Sequence, residues 1–305
     1  METDDLLTDP STDSFNKFWK IIDSCNGLLC VRNTNGGSSI WLWNPMIREL
    51  REIPLTTPDF YGFCQYGFGF SSAVNDYKIV RFYYQNLNNK TNEEFEPLTF
   101  LDGVEVLDGV EVFSLSNGSW KKLEFEFGAL QLDTGSIFEP VNVDGTISWL
   151  GRRHDKSFMI LSFNVATEVL TSIPIAEFPT EFCFHFGLGV HDNKFEVYCT
   201  RLNSTTSSSI SVWVMEEVTS VSGKSFIPTQ KYNFGPMWKI FLTNCIWKNE
   251  IVCNNSTRVS GALTLFNLIT NERRNFNYSN PNFYFCGVYN YEKTLLSVWN
   301  NNQVE

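Results

Sequence analysis

Three groups of residues in this chain carry side chains whose types and spacing could do chemistry. Cys183, His185 and His191 fall close together in CFHFGLGVH and offer the sulfur and imidazole ligands that zinc accepts. A period of two would set Cys183 and His185 on one strand face, with His191 at the next turn. Zinc takes four ligands, or three and a water, and the spacing supplies no fourth, so the expectation is a packed strand cysteine with surface histidines and no metal. Gly67-Phe68-Gly69 has the look of a phosphate loop, but no helical pattern follows it, which leaves a glycine pair within a strand. The third group is the acids Glu93, Glu94, Glu96 and Asp102. They belong to a stretch, 85–112, with seven acids and one base. Such a stretch could steer a basic protein partner, although a solvated loop that keeps the chain soluble is the plainer reading. No G-x-x-x-x-G-K-[ST], H-E-x-x-H or G-x-S-x-G pattern occurs. No catalytic residue, cofactor or metal ligand is therefore assigned.

The elements that must position these residues announce themselves as a repeat. An apolar strand reaches an aromatic, a polar turn follows, and a second strand often closes on Ile-Pro. The copies are WNPMIRELREIP (Trp43 to Pro54), FSLSNGSWKKLEF (Phe113 to Phe125), FNVATEVLTSIP (Phe163 to Pro174), WVMEEVTSVSGKSFIP (Trp213 to Pro228) and FNLITNERRNF (Phe266 to Phe276). Their anchors Trp43, Phe113, Phe163, Trp213 and Phe266 are 70, 50, 50 and 53 residues apart. A period near fifty is that of kelch-type β-propellers, in which one four-stranded blade uses about that much chain. At strand spacing the anchors are expected to be core, packed between blades.

Between the anchors lies a second hairpin type with Asn, Asp or Gly at a tight turn: GFGFSSAVNDYKIVRF, VNVDGTISWL, GLGVHDNKFEVYC, TNCIWKNEIVC and FCGVYNYEKTLLSVW. CNGLLCV, from Cys25, belongs with them. Pairing each with the anchor that follows predicts an all-β propeller with four-stranded units near 21–54, 66–125, 138–175, 184–231 and 241–278. A sixth, from about 283, has only two strands left, so about six blades are expected, the last incomplete or closed by one N-terminal strand from SFNKFWK. Residues 1–20 form an acidic, mostly irregular segment and 21–305 the propeller domain. Helical periodicity is nearest around Ser14 to Ile22. The 70-residue gap marks an insertion, 83–109, containing a duplication, LDGVEV LDGVEV (Leu101 to Val112). One copy fits the strand leading to Phe113; the other lengthens the hairpin or loops out.

The net charge of −11 resides in two places, five acids in residues 1–14 and the acidic stretch. That balance disfavours nucleic acid and anionic membrane and favours a basic protein target. There is no secretory h-region and no run of eighteen apolar residues, and the eight cysteines form no C-x-x-C pair. They read as reduced thiols of a cytoplasmic or nuclear protein.

The order and spacing of CNGLLC (Cys25 to Cys30), LWNP with Arg48 soon after, YGFGF…VNDYKIVR (Tyr66 to Arg81), VEVFSLSNGSWKKLE (Val110 to Glu124) and ILSFNVATEVLTSIP (Ile160 to Pro174) resemble the plant F-box-associated interaction domain. The flavour is similar to S-locus F-box proteins. The resemblance implies a substrate-recognition propeller of an SCF-type ubiquitin ligase. An F-box would bind a Skp adaptor and cullin, and no F-box pattern is recognised in this sequence. The Skp and cullin partnership is therefore expected only if an F-box is present elsewhere. An adaptor-free interaction or decoy propeller is the alternative, and a propeller enzyme the third reading.

Overall fold

Alternating apolar residues punctuated by two-residue turns fold the chain into successive antiparallel meanders. The computed structural model describes residues 19–33, 39–55, 64–86, 105–125, 132–137, 139–153, 155–178, 183–204, 207–221, 223–238, 241–247, 250–254, 261–267, 269–270, 272–278, 289 and 291–299. The first sheet runs β1 (Trp19–Cys25), β2 (Leu28–Asn33), β3 (Ile40–Asn44) and β4 (Glu49–Ile53). The second comprises β5 (Gln65–Ser71), β6 (Asp76–Asn86), β7 (Glu105–Ser114) and β8 (Ser119–Leu123). In the third, β9 (Leu132–Ile137) and β10 (Val141–Val143) both pair with β11 (Thr146–Arg153), followed by β12 (Phe158–Asn164) and β13 (Val169–Ile175). The fourth holds β14 (Cys183–His191), β15 (Lys194–Leu202), β16 (Ser207–Ser220) and β17 (Gly223–Trp238), and the fifth β18 (Phe241–Trp247), β19 (Glu250–Asn254), β20 (Gly261–Asn267) and β21 (Arg273–Tyr278). Each meander is one blade of an all-β propeller, the third and fourth being bridged through β13 and β17 into one nine-stranded sheet. The first strands touch in series, β1 to β5, β5 to β10, β10 to β14 and β14 to β18, so they line the axis.

Four apolar cores lie between consecutive blades. Leu28, Ile40 and Leu42 of the first meet Phe68, Ile79 and Phe113 of the second. Val80, Phe82 and Val112 meet Trp149, Leu161 and Phe163 of the third. Leu150, Phe158 and Ile160 meet Leu188, Val197 and Met215 of the fourth, and Tyr198, Val212 and Phe234 meet Ile251 and Phe266 of the fifth. The second, third and fourth blades bury both faces in these cores, which is why apolar residues crowd their strands instead of alternating cleanly. The glycine pair of β5 makes this possible on one side. A Cβ on Gly67 would stand 2.4 Å from Trp149 Cζ2 and 2.6 Å from Ile147 Cγ2.

The anchors Phe113, Phe163 and Phe266 are buried as expected, whereas Trp43 and Trp213 are half-buried. The polar turn after the anchor has a physical cause. Asn44 Oδ1 accepts from Met46 N, Asn164 Oδ1 from Ala166 and Thr167 N, and Asn267 Oδ1 from Ile269 and Thr270 N. These side chains stand in for the backbone acceptor a turn would otherwise lack. The fifth residue then adopts a left-handed conformation in three copies, at Arg48, Gly118 and Glu168. In the blade centred on Phe113, Ser114 and Asp76 take the place of Asn: Ser114 Oγ donates to Asp76 Oδ2 and accepts from Asn117 N.

The limits of the insertion and of the terminal strands differ from expectation. The insertion is shorter than 83–109, because β6 continues to Asn86 and β7 begins at Glu105, with a bulge between Tyr83 and Tyr84. The second LDGVEV copy lies wholly within β7, and Glu105 and Val106 of the first extend the hairpin. Trp19 and Lys20, the end of SFNKFWK, pair with β2 in the innermost strand of the first blade rather than closing the last, and Ser14 to Phe18 lie outside the described residues. Finally, residues 291–299 form no strand. They lie on the first blade, where Asn44 Nδ2 donates to Thr294 O and Leu296 O and Glu49 accepts from Ser297 Oγ and Val298 N. Val298 is fully buried there, and the Tyr289 hydroxyl donates to Ile21 O.

Two outcomes are expected. Gly67→Ala should lower stability by about 1–3 kcal/mol in urea unfolding, because the Trp149 ring has no room to yield. Asn44→Ala should cost about 1–3 kcal/mol and accelerate amide exchange over 294–298, while exchange in β11 and β12 stays as in the parent.

Candidate functional site at one mouth of the propeller

In an antiparallel meander the turn between strands one and two and the turn between three and four emerge on the same edge. That edge carries tight turns at Asn26-Gly27, Asp144-Gly145 and Asp192-Asn193, all with positive φ at both central residues. This geometry suits Asn, Asp and Gly and matches the twist of the strands it joins. Gly27 has a second reason to be glycine, because a Cβ would meet Glu292 O at 2.3 Å.

The first two of these turns, together with the β5–β6 turn, line an open cavity of about 560 Å³ between the first three blades. Its wall draws on three blades and the C-terminal segment, including Asn26, Ser71, Asn142, Asp144, Asn164 and Glu292. Asp144 and Glu292 are exposed carboxylates, and no lysine or arginine lines the wall among the described residues. Asn142 holds the floor together: its Nδ2 donates to Phe68 O of the second blade and to Cys25 Sγ of the first. Behind the wall, buried Lys78 donates to Val165 O and pairs with Glu168, which fixes the third blade's outer turn to the second blade. Glu168 is held below the usual carboxylate range by hydrogen bonds from Lys78 and Lys121.

Deeper along β1, Asp23 accepts a hydrogen bond from Ser24 N at Oδ1, and its Oδ2 is sealed from solvent without a partner. Loss of solvation pushes its carboxyl up to about 8, with a smaller push from Glu139, itself paired with Lys20. The same burial raises the Cys25 thiol to about 11, aided by the Asp23 charge. The site therefore offers polar hydrogen-bonding groups and carboxylates at the rim, but no activated nucleophile.

Glu93, Glu94, Glu96 and Asp102 lie outside the described residues. Of the Cys183, His185 and His191 group, the side chain of His185 is outside the described residues. His191 is half-buried, with Nδ1 at 3.5 Å from Asp192 and 3.7 Å from Glu196. The neighbour that Cys183 does have is Cys199. Sequence spacing missed the mouth because its members come from turns far apart in the chain; the shared Asn/Asp-Gly pattern of the inner hairpins was the signal for it.

Asp23 yields a pH dependence. Its folded pKa lies above its unfolded one, so the protonated carboxyl stabilises the native state fully below about pH 4, and that stability is lost as pH rises toward 8. Asp23→Asn should remove this decline in unfolding measured across pH 4–8 while leaving the fold intact.

The sequence matches the family model of the F-box associated beta propeller domain over residues 1–294. It is similar to the F-box/WD-40 repeat-containing protein 1 of Arabidopsis thaliana, 28% identical over 199 residues, which are 64% of this chain and 44% of that protein. It is also similar to the F-box/kelch-repeat protein At3g23880 of Arabidopsis thaliana, 24% identical over 230 residues, 72% of this chain and 56% of that protein. The chain thus spans about half the length of these relatives. Among solved structures it is similar to the beta-propeller domain of the trilobed protease from Pyrococcus furiosus, at 13% identity and TM-score 0.43, covering 84% of this chain and 71% of that one. With five meanders in series around one axis and the family match across nearly its whole length, the chain belongs to the F-box associated beta propeller domain family.

Proposed function

We propose that this propeller recognises a protein target for an SCF-type ubiquitin ligase and performs no chemistry of its own. The observation that carries the reading is the cavity at this mouth, whose wall combines amide and hydroxyl groups with the exposed carboxylates of Asp144 and Glu292. Such a wall satisfies polar peptide groups and favours a basic side chain. The names of the relatives support the ligase context, in which a Skp adaptor and cullin would be joined through an F-box. Ubiquitin transfer would then be catalysis by proximity, with the target's lysines held toward a separate enzyme. The working compartment in this reading is the cytoplasm or nucleus. Glu93, Glu94, Glu96 and Asp102 would add long-range attraction for a basic partner.

The test uses the protein in plant cells, alone and behind a grafted F-box. The graft should co-purify with Skp adaptor and cullin and increase ubiquitylation of the proteins the propeller retains. Charge reversal of both rim acids, Asp144→Lys with Glu292→Lys, should weaken retention of those proteins about tenfold or more. An unchanged set of retained proteins would remove the mouth as the recognition surface, and retention without ubiquitylation would remove the ligase reading. Neutralising Glu93, Glu94 and Glu96 together should slow association and flatten its salt dependence, with little change in dissociation.

A further inference from the structure

We propose that Cys183 and Cys199 form a thiol–disulfide switch in the fourth blade, closing to an intramolecular disulfide when a low-molecular-weight disulfide such as oxidised glutathione is supplied. The two sulfurs lie 3.1 Å apart, and both residues are free thiols. Strand register explains how they meet. Phe186 faces Cys199 and His185 faces Thr200, and an unbroken ladder would carry Cys183 opposite Leu202, on the other face of the sheet from Cys199. A bulge between Cys183 and His185 instead sets Cys183 opposite Arg201. Residues 199 and 201 share a face, so the one-residue slip brings Cys183 onto the same face as Cys199, diagonally across the strand pair.

The surroundings divide the roles between the two thiols. Cys183 is half-buried and within reach of a small oxidant, whereas Cys199 is 1% exposed. A hydrogen bond from the Cys199 thiol, with help from Arg201, holds Cys183 down to about 7, and the same pairing together with burial pushes Cys199 upward. Cys183 is therefore the attacking thiolate. It bonds to one sulfur of oxidised glutathione, the glutathione S–S bond breaks, and one glutathione leaves as thiolate. The Cys199 proton passes to that thiolate, the Cys199 sulfur bonds to the Cys183 sulfur, and the second glutathione is expelled. Two protein thiols are oxidised and one glutathione disulfide is reduced to two glutathione molecules. Trp213 packs beside this site in the same apolar core, and its indole N–H finds no oxygen or nitrogen partner while lying close enough to Cys199 to lower its thiol slightly. Cys25 and Cys30, by contrast, are raised by burial. In a reducing compartment a pair of this kind works as a reversible sensor rather than as a structural bond.

The test incubates the full chain in buffers of increasing oxidised-to-reduced glutathione ratio, followed by acid quench, alkylation and peptide mass spectrometry. The expected product links Cys183 to Cys199, is reversed by dithiothreitol and leaves the other six of the eight cysteines alkylated. Cys199→Ser should trap glutathione on Cys183, and Cys183→Ser should leave Cys199 unmodified. The oxidised wild type should also unfold a few degrees higher than the reduced one, because the cross-link restricts the unfolded chain. A stable glutathione adduct on wild-type Cys183 without the cross-link, or oxidation of Cys25 or Cys30 ahead of the pair, would overturn the proposal. The wild-type experiment decides the matter even if a serine variant does not fold.

Discussion

Everything in this fold depends on the packing of one sheet face against the next. No blade has a core of its own; each apolar cluster is assembled from two consecutive blades. Apolar burial is worth roughly 25 cal/mol per Å², so a blade removed from its neighbours would leave both faces exposed and gain nothing. Close approach is the condition for that burial, and it is met residue by residue. Gly67 and Gly69 let Trp149 and Ile147 lie directly on the β5 backbone, and the Trp149 indole donates to Tyr66 O, so its one polar atom is satisfied in the interior. The buried charges obey the same economy. Arg81 pairs with Glu111 directly across β6 and β7 and stacks over the Tyr83 ring.

Much of this was legible in the sequence because the signals are local. The period of the aromatic anchors located five blades to within a few residues of their observed limits, and the Asn-Gly and Asp-Gly pairs located the inner turns. The Asn that follows Trp43, Phe163 and Phe266 explains why the motif survives as a pattern: its side chain organises the next turn. Non-local facts were not legible. Trp19 to Cys25 could be read as helix or strand until β2 was seen beside it. The seating of residues 291–299 depends on side-chain donors and acceptors some 250 positions away, at Asn44 and Glu49. Trp43 and Trp213 share a pattern with buried anchors but differ in what the adjoining sheet offers them. For the site, the Cys183 and Cys199 pairing hinges on a single bulge, and a bulge leaves no trace in hydrophobic periodicity.

The two edges of the propeller are unlike. One gathers short turns and a polar cavity; the other carries the ends of β6 and β7 that lead into the connection between them. Rigid turns favour a defined bound geometry, since little conformational freedom is lost on binding.

The third and fourth blades differ from the rest at their rims. Ile175 and Phe226 meet as a parallel bridge between β13 and β17, reinforced by Ala176 N donating to Phe226 O. Elsewhere β4, β8 and β21 end their sheets as outer strands. An outer strand with unpaired backbone groups is a template for another chain, whether as strand addition by a partner or as edge-to-edge aggregation. The bridge occupies that template at Ile175 and Phe226, so a partner adding a strand to either of these rims would have to start beyond it.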